Sequence, residues 1–281
     1  MTIALAIKVQ DGIVLAADSA TTMLGLTANG GTQVANIYNN ANKLFNLHKG
    51  LPIGALTWGL GNIGPASIAT LAKDARQRFT DLEDEWHLDQ RAYSVDGVAQ
   101  QIDAFFCKRY DDVWGKADPS DRPMMPLGFL TAGYSSEADE AQLFALELGP
   151  DGRSTTTEVL AGTTGAQWWG QPEAIARILT GLSLDTATAL TNLGVDDSQA
   201  EGLTQAVRSQ VAAQFVSPSM PIQDAIELAE FLVYATVQYV RFTPGNPTVG
   251  GPIDIATVTK HEGFKWVARK HFYEAKLNRT T

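Results

Sequence analysis

With 281 residues, 44% apolar and 19% charged, the chain has the composition of an ordinary globular protein and enough apolar material for a sizeable core. A formal net charge of −10 argues against nucleic acid as a partner, because phosphate binding needs a basic face. One cysteine excludes an internal disulfide, four scattered histidines suggest no metal site, and no apolar run reaches the roughly 18 residues of a membrane span.

The elements follow in chain order. Thr2–Val9 and Gly12–Ala17 are apolar runs joined by Gln10-Asp11-Gly12, which predicts a hairpin of two buried strands. Met23–Asn42, rich in Gly, Asn and Thr, reads as a loop with a short strand at Thr32–Ile37. Lys43–Leu47 and Leu51–Thr57 form a second hairpin around His48-Lys49-Gly50. Helical spacing begins at Ile63, with Pro65 in the first turn and Ile68, Leu71, Ala72, Ala75 and Phe79 on one face. A second helix is expected over Val95–Trp114, then a breaker-rich loop over Lys116–Pro126. Strands are expected at Leu127–Tyr134, Ala141–Leu148 and Thr155–Ala161. Helices are expected at Pro172–Leu182 and Ile222–Arg241, the second apolar on nearly all sides and therefore buried. Between them Asp185–Ser219 reads as an acidic insertion, helical from Ser198 to Phe215. Strands at Ile253–Lys260 and Phe264–Ala268 precede a basic tail. Segregated blocks of strands and helices point to an α+β protein with antiparallel sheets rather than a doubly wound parallel sheet. No repeat or linker divides residues 1–281, so one domain is expected.

Thr2 follows Met1 directly. Removing Met1 would place a hydroxyl and a free amine on one residue. An amine of pKa about 7.7–8.0 is substantially neutral near physiological pH and can act as base for its own side chain. The N-terminus lacks the basic and continuous apolar segments of a secretory signal, so a cytoplasmic location is expected.

The run from Thr2 through Gly12 to Asp18-Ser19, the strand Lys43-Leu44-Phe45-Asn46-Leu47 and the segment Thr57-Trp58-Gly59 together resemble proteasome β-type subunits and their bacterial relatives. Gly162-Thr163-Thr164-Gly165 resembles the turn before that family's third helix, and Gly250-Gly251-Pro252-Ile253-Asp254-Ile255 its last strand-opening motif. The resemblance implies a four-layer αββα sandwich of the N-terminal-nucleophile hydrolase type.

It also implies roles. Thr2 Oγ would attack an amide carbonyl, Lys43 would place an ammonium beside it, and Asp18 would hold Lys43 charged and oriented. Gly59 would supply an oxyanion donor through its N–H, where a glycine lets the backbone approach the reacting carbonyl. Thr163 falls where the family has a serine near the threonine amine, with Thr164 as the alternative. Asn246 and Val249 stand where it has an aspartate and a serine, and Thr248 can supply the hydroxyl if the loop shifts by one residue. Ser19, Thr21 and Thr22 would line the substrate cleft, with Thr57 facing them. Trp58 reads as core, Trp168-Trp169 at a helix start as packing or subunit contact, and Cys107 as a buried core thiol. Implied partners are identical subunits in a ring, peptide or unfolded-protein substrates and a separate ATPase, with neither metal nor organic cofactor. Two other readings stay open: a non-catalytic assembly subunit that keeps Met1, and an amidohydrolase for small amides.

Overall fold

The computed structural model describes residues 2–26 and 32–270. The chain opens with β1 (Ile3–Val9) and β2 (Gly12–Ala17), the predicted hairpin, paired from Ala4↔Ala17 to Val9↔Gly12. The expected loop after it is instead a second hairpin, β3 (Thr21–Leu26) with β4 (Thr32–Tyr38). Residues 27–31 of that stretch lie outside the described residues. Next come β5 (Leu44–Asn46) and β6 (Ile53–Gly59).

A small hairpin, β7 (Asn62–Ile63) with β8 (Ala66–Ser67), occupies what reads as the first turn of a helix. Gly64 and Pro65 make its turn, and α1 (Ile68–Thr80) starts where the Ser67 side chain accepts from Thr70 N. α2 (Val95–Trp114) has the expected bounds and a Ser94 cap. Then follow β9 (Leu127–Tyr134), β10 (Ala141–Leu148), β11 (Ser154–Glu158) and β12 (Gly165–Gly170). The last is a strand where the sequence suggested a turn and a helix start. α3 (Glu173–Thr180), α4 (Thr186–Asn192), α5 (Asp197–Val211) and α6 (Ile222–Phe242) precede β13 (Asp254–Thr259) and β14 (Gly263–Ala268). The insertion's helix thus ends at Val211, four residues before the expected Phe215, and a separate short helix precedes it.

Two five-stranded antiparallel sheets carry the molecule, in the orders β12-β1-β2-β13-β14 and β11-β10-β9-β6-β5. Strand parity explains the unbroken apolar run of β1. Ile3, Leu5, Ile7 and Val9 enter a cluster with Ala225, Ala229 and Leu232 of α6, while Ala4 and Ala6 join Leu15, Leu56 and Leu130 between the two sheets. On the far face of the second sheet, Phe45, Ile53 and Phe129 pack with Leu71 and Phe79 of α1 and Ile102 and Phe106 of α2. The expectation of a fully buried α6 is corrected. Its inner side packs on β1, β2 and β13, but Phe231, Tyr234 and Phe242 are 49%, 55% and 77% exposed.

Candidate functional site

The site begins with the hairpin geometry of β1 and β2. Asp18, one residue past β2, lies beside the start of β1, and its N–H donates to Ile3 O. Thr2 sits at that strand start and is buried. From the second sheet comes Lys43, whose carbonyl accepts from Thr57 N at 2.9 Å and so extends the β5–β6 ladder.

These three side chains meet at one carboxylate oxygen. Asp18 Oδ1 accepts from Lys43 Nζ at 2.5 Å, from Thr2 Oγ at 3.3 Å and from Ile3 N at 3.0 Å. Asp18 Oδ2 accepts from Ala20 N at 3.1 Å and from Gly250 N at 3.0 Å. The Asp18 side chain is fully buried and that of Lys43 is 8% exposed. Burial pushes the Lys43 ammonium below its ordinary pKa, and the Asp18 charge and hydrogen bond oppose that shift. Chemically, the carboxylate holds a hydroxyl and a cation on one oxygen, which sets a positive charge beside Thr2 Oγ.

Gly170 and Gln171 complete the wall around Thr2, and sequence reading missed both. Gln171 N donates to Thr2 O at 2.8 Å. Gly170 has φ +93°, and a Cβ there would lie 2.0 Å from Thr2 O, so no side chain fits. Their place immediately before the expected helix at Pro172 was the only local signal for them.

Thr163 is not in this cluster. The β1–β12 register pairs Ile3 with Gly170 and Lys8 with Gly165, so Thr163 lies beyond the opposite end of β1 and is exposed. Asn246 is also exposed, whereas Thr248 and Val249 are buried and Gly250 is the residue that reaches Asp18. Ser19 does not line a cleft: it is fully buried, and its Oγ donates to Pro252 O at 2.6 Å. Thr57 is buried too, with its hydroxyl donating to Gly128 O at 2.9 Å. Both hydroxyls therefore hold backbone rather than face a ligand. Thr21 and Thr22 are half-buried at the start of β3, and a Cβ on Gly61 would stand 3.6 Å from Thr21 Oγ1. Gly59 closes β6 two residues past the partner of Lys43, with φ +76°. A Cβ there would lie 2.1 Å from the carbonyl of Pro126, just before β9, so that backbone already requires glycine.

Trp58 packs between the sheets as expected and stacks on Trp169, with ring centroids 4.5 Å apart. Cys107 is half-buried, donates to Asp103 Oδ1 and has its thiol pKa raised chiefly by burial, the opposite of a reactive thiolate. Among the described residues no group of three or more His, Cys, Asp or Glu is arranged to hold a metal, and no helix is long and apolar enough to cross a membrane.

No family model and no curated protein matches this chain. Solved structures do. "Anbu (ancestral beta-subunit) from Yersinia bercovieri" is 14% identical with a TM-score of 0.53, covering 96% of this chain and 88% of its own. "Helical Assembly of the Anbu Complex from Pseudomonas aeruginosa" is 14% identical with a TM-score of 0.54, covering 98% and 90%. The assignment by resemblance to proteasome β-type subunits is therefore corrected: these neighbours are Anbu proteins, proteasome-like but a distinct family. At this identity the likeness is one of fold.

Proposed function

We propose that this chain is a self-associating, proteasome-like assembly subunit that carries an N-terminal-nucleophile site at Thr2. Assembly is the better supported half. One neighbour is titled as a helical assembly, and this chain leaves the outer face of α6 and the Leu203, Val207 and Val211 side of α5 exposed. Exposed apolar faces of this kind are typical of surfaces that another protein covers. A head-to-tail interface builds a ring if its rotation closes and a helix if it does not, so the expected ring becomes a homo-oligomer of either form. The same reading takes the fold as a four-layer αββα sandwich and residues 1–281 as one domain. Residues 185–219 are an insertion on its outside, where α5 packs on α3 and α4.

The hydrolase half rests on a single observation: the Thr2 hydroxyl and the Lys43 ammonium share Asp18 Oδ1. With Met1 removed, Thr2 Oγ would add to an amide carbonyl, its proton passing to the Thr2 amine directly or through water. The tetrahedral intermediate would collapse to an ester on Thr2 as the protonated Thr2 amine gives that proton to the departing nitrogen, and water would then hydrolyse the ester to the acid and free the Thr2 hydroxyl. Lys43 would stabilise the developing negative charge and the Gly59 N–H would face the oxyanion. Peptides or unfolded polypeptides are the substrates this reading expects, in the cytoplasm and with a separate ATPase. The second reading, assembly without chemistry, draws on Val249 and on the exposed Asn246, which supply neither a serine hydroxyl nor a carboxylate.

Intact mass separates the two, taken before and after an electrophile that needs a free N-terminal threonine. A mass short by one methionine and a single adduct lost in Thr2→Ala supports the hydrolase. Retained methionine with no adduct leaves assembly alone.

A further inference from the structure

A second buried ion pair stands beside the first. Lys270 lies two residues past β14, where it comes back alongside the start of β13. Its backbone N–H donates to Asp254 Oδ1 at 3.0 Å, its ammonium pairs with Asp254 Oδ2, and its Nζ also donates to Ser19 Oγ at 2.7 Å. The two side chains are 5% and 4% exposed. Asp254 is registered opposite Ala17, the residue before Asp18, and Ser19 is the residue after it.

Ser19 passes the connection inward. Its N–H donates to Gly250 O at 3.0 Å, and Gly250 N donates to Asp18 Oδ2. A hydrogen-bonded path therefore runs from Lys270 through Ser19 and Gly250 to the carboxylate that holds Thr2 and Lys43. A buried ion pair contributes little net stability, since desolvation offsets most of its attraction. Its location is the informative property. Three charges bear on the Lys43 ammonium: Asp18 and Asp254 favour its charged form and Lys270 opposes it.

We propose that Asp254 and Lys270 are positioning residues for the Thr2 site, fixing the Ser19–Gly250 junction that carries Asp18 and setting the field in which Lys43 ionises. The catalytic meaning of this role rests on the hydrolase reading above; the electrostatic meaning does not.

The test titrates Lys43 in the full chain by NMR of 13Cε-labelled lysine, its resonance identified with Lys43→Arg. Asp254→Asn should lower the Lys43 midpoint by roughly one pH unit and Lys270→Gln should raise it by a similar amount, with Lys270→Arg near the wild type. In parallel, the rate of Thr2 adduct formation at pH 7 should fall about tenfold in the two neutral variants and stay within about twofold in Lys270→Arg. If one neutral variant does not fold, the other still carries the sign. Shifts of the same sign, or none in folded protein, overturn the proposal. So does loss of folding in both neutral variants while Lys270→Arg folds, which makes the pair purely structural. Opposite shifts with no adduct in the wild type uphold the field at Lys43 and sink the hydrolase reading instead.

Discussion

Removing either partner of the Asp18–Lys43 pair should have very unequal consequences. Asp18 accepts from Lys43, Thr2, Ile3, Ala20 and Gly250. Lys43→Met takes away one of those donors and leaves the carboxylate with the others. Asp18→Ala instead strands a lysine whose side chain is 8% exposed, together with three backbone N–H groups. An orphaned buried charge costs about 3–5 kcal/mol, and unsatisfied N–H groups add to that. For a chain of this size the urea midpoint of Asp18→Ala should therefore fall by roughly 1 M or more, with Lys43→Met losing clearly less. The comparison is made at one protomer concentration, because self-association couples stability to concentration. The deficit also has a pH signature. Burial already places the folded pKa of Lys43 below its unfolded value. In Asp18→Ala the largest opposing influence is gone, so the folded chain binds fewer protons than the unfolded one between the lowered pKa and 10.5, and stability rises with pH across that window. Equal losses in the two variants, or a deficit that grows as pH rises, would refute this account of the cluster.

Gly170→Ala forces a Cβ toward Thr2 O at a left-handed backbone position, and should cost roughly 1–3 kcal/mol in thermal unfolding while reducing Thr2 adduct formation. His48 is buried, its Nδ1 accepts from Gly50 N, and burial followed by the nearby His87 lowers its pKa below 6.5. The neutral form suits the fold, so this contribution is complete above pH 6.5 and is lost as pH falls through the lowered folded pKa; His48→Gln should flatten the acid limb of urea midpoint against pH. Tyr234→Glu on the exposed side of α6 should lower the sedimenting mass at unchanged far-UV circular dichroism, and an unaltered oligomer would move the interface elsewhere.

The opening hairpin and α2 were legible because each rests on local pattern, an Asp-Gly turn and a 3–4 spacing; Thr2, Asp18 and Lys43 were singled out by resemblance, and the structure brings their side chains together. β12 was not. It is the edge strand of its sheet, half-buried along nearly its whole length, so neither alternation nor a continuous apolar run marks it. Missing that strand left Thr163 beside the expected site, whereas the β1–β12 register puts Gly170 beside Thr2 and Thr163 beyond the opposite end of β1. Lys270 was read as part of a basic tail, since nothing local says that a lysine beyond the last strand returns to Asp254. Only the β13–β14 pairing decides that. The outward aromatics of α6 were misread for a related reason, because composition counts apolar residues without saying how many sides of a helix the rest of the chain covers.

The Gly250–Asp18 hydrogen bond joins groups 232 positions apart. The Asp18 carboxylate that holds Thr2 therefore gains this donor only through a long-range closure of the chain. β2 stays an unpaired sheet edge until β13 docks beside it, a non-local closure of the kind that folds slowly. Until β13 docks, the Asp18 carboxylate lacks its Gly250 donor, so a complete donor set around Asp18 marks a closed sheet.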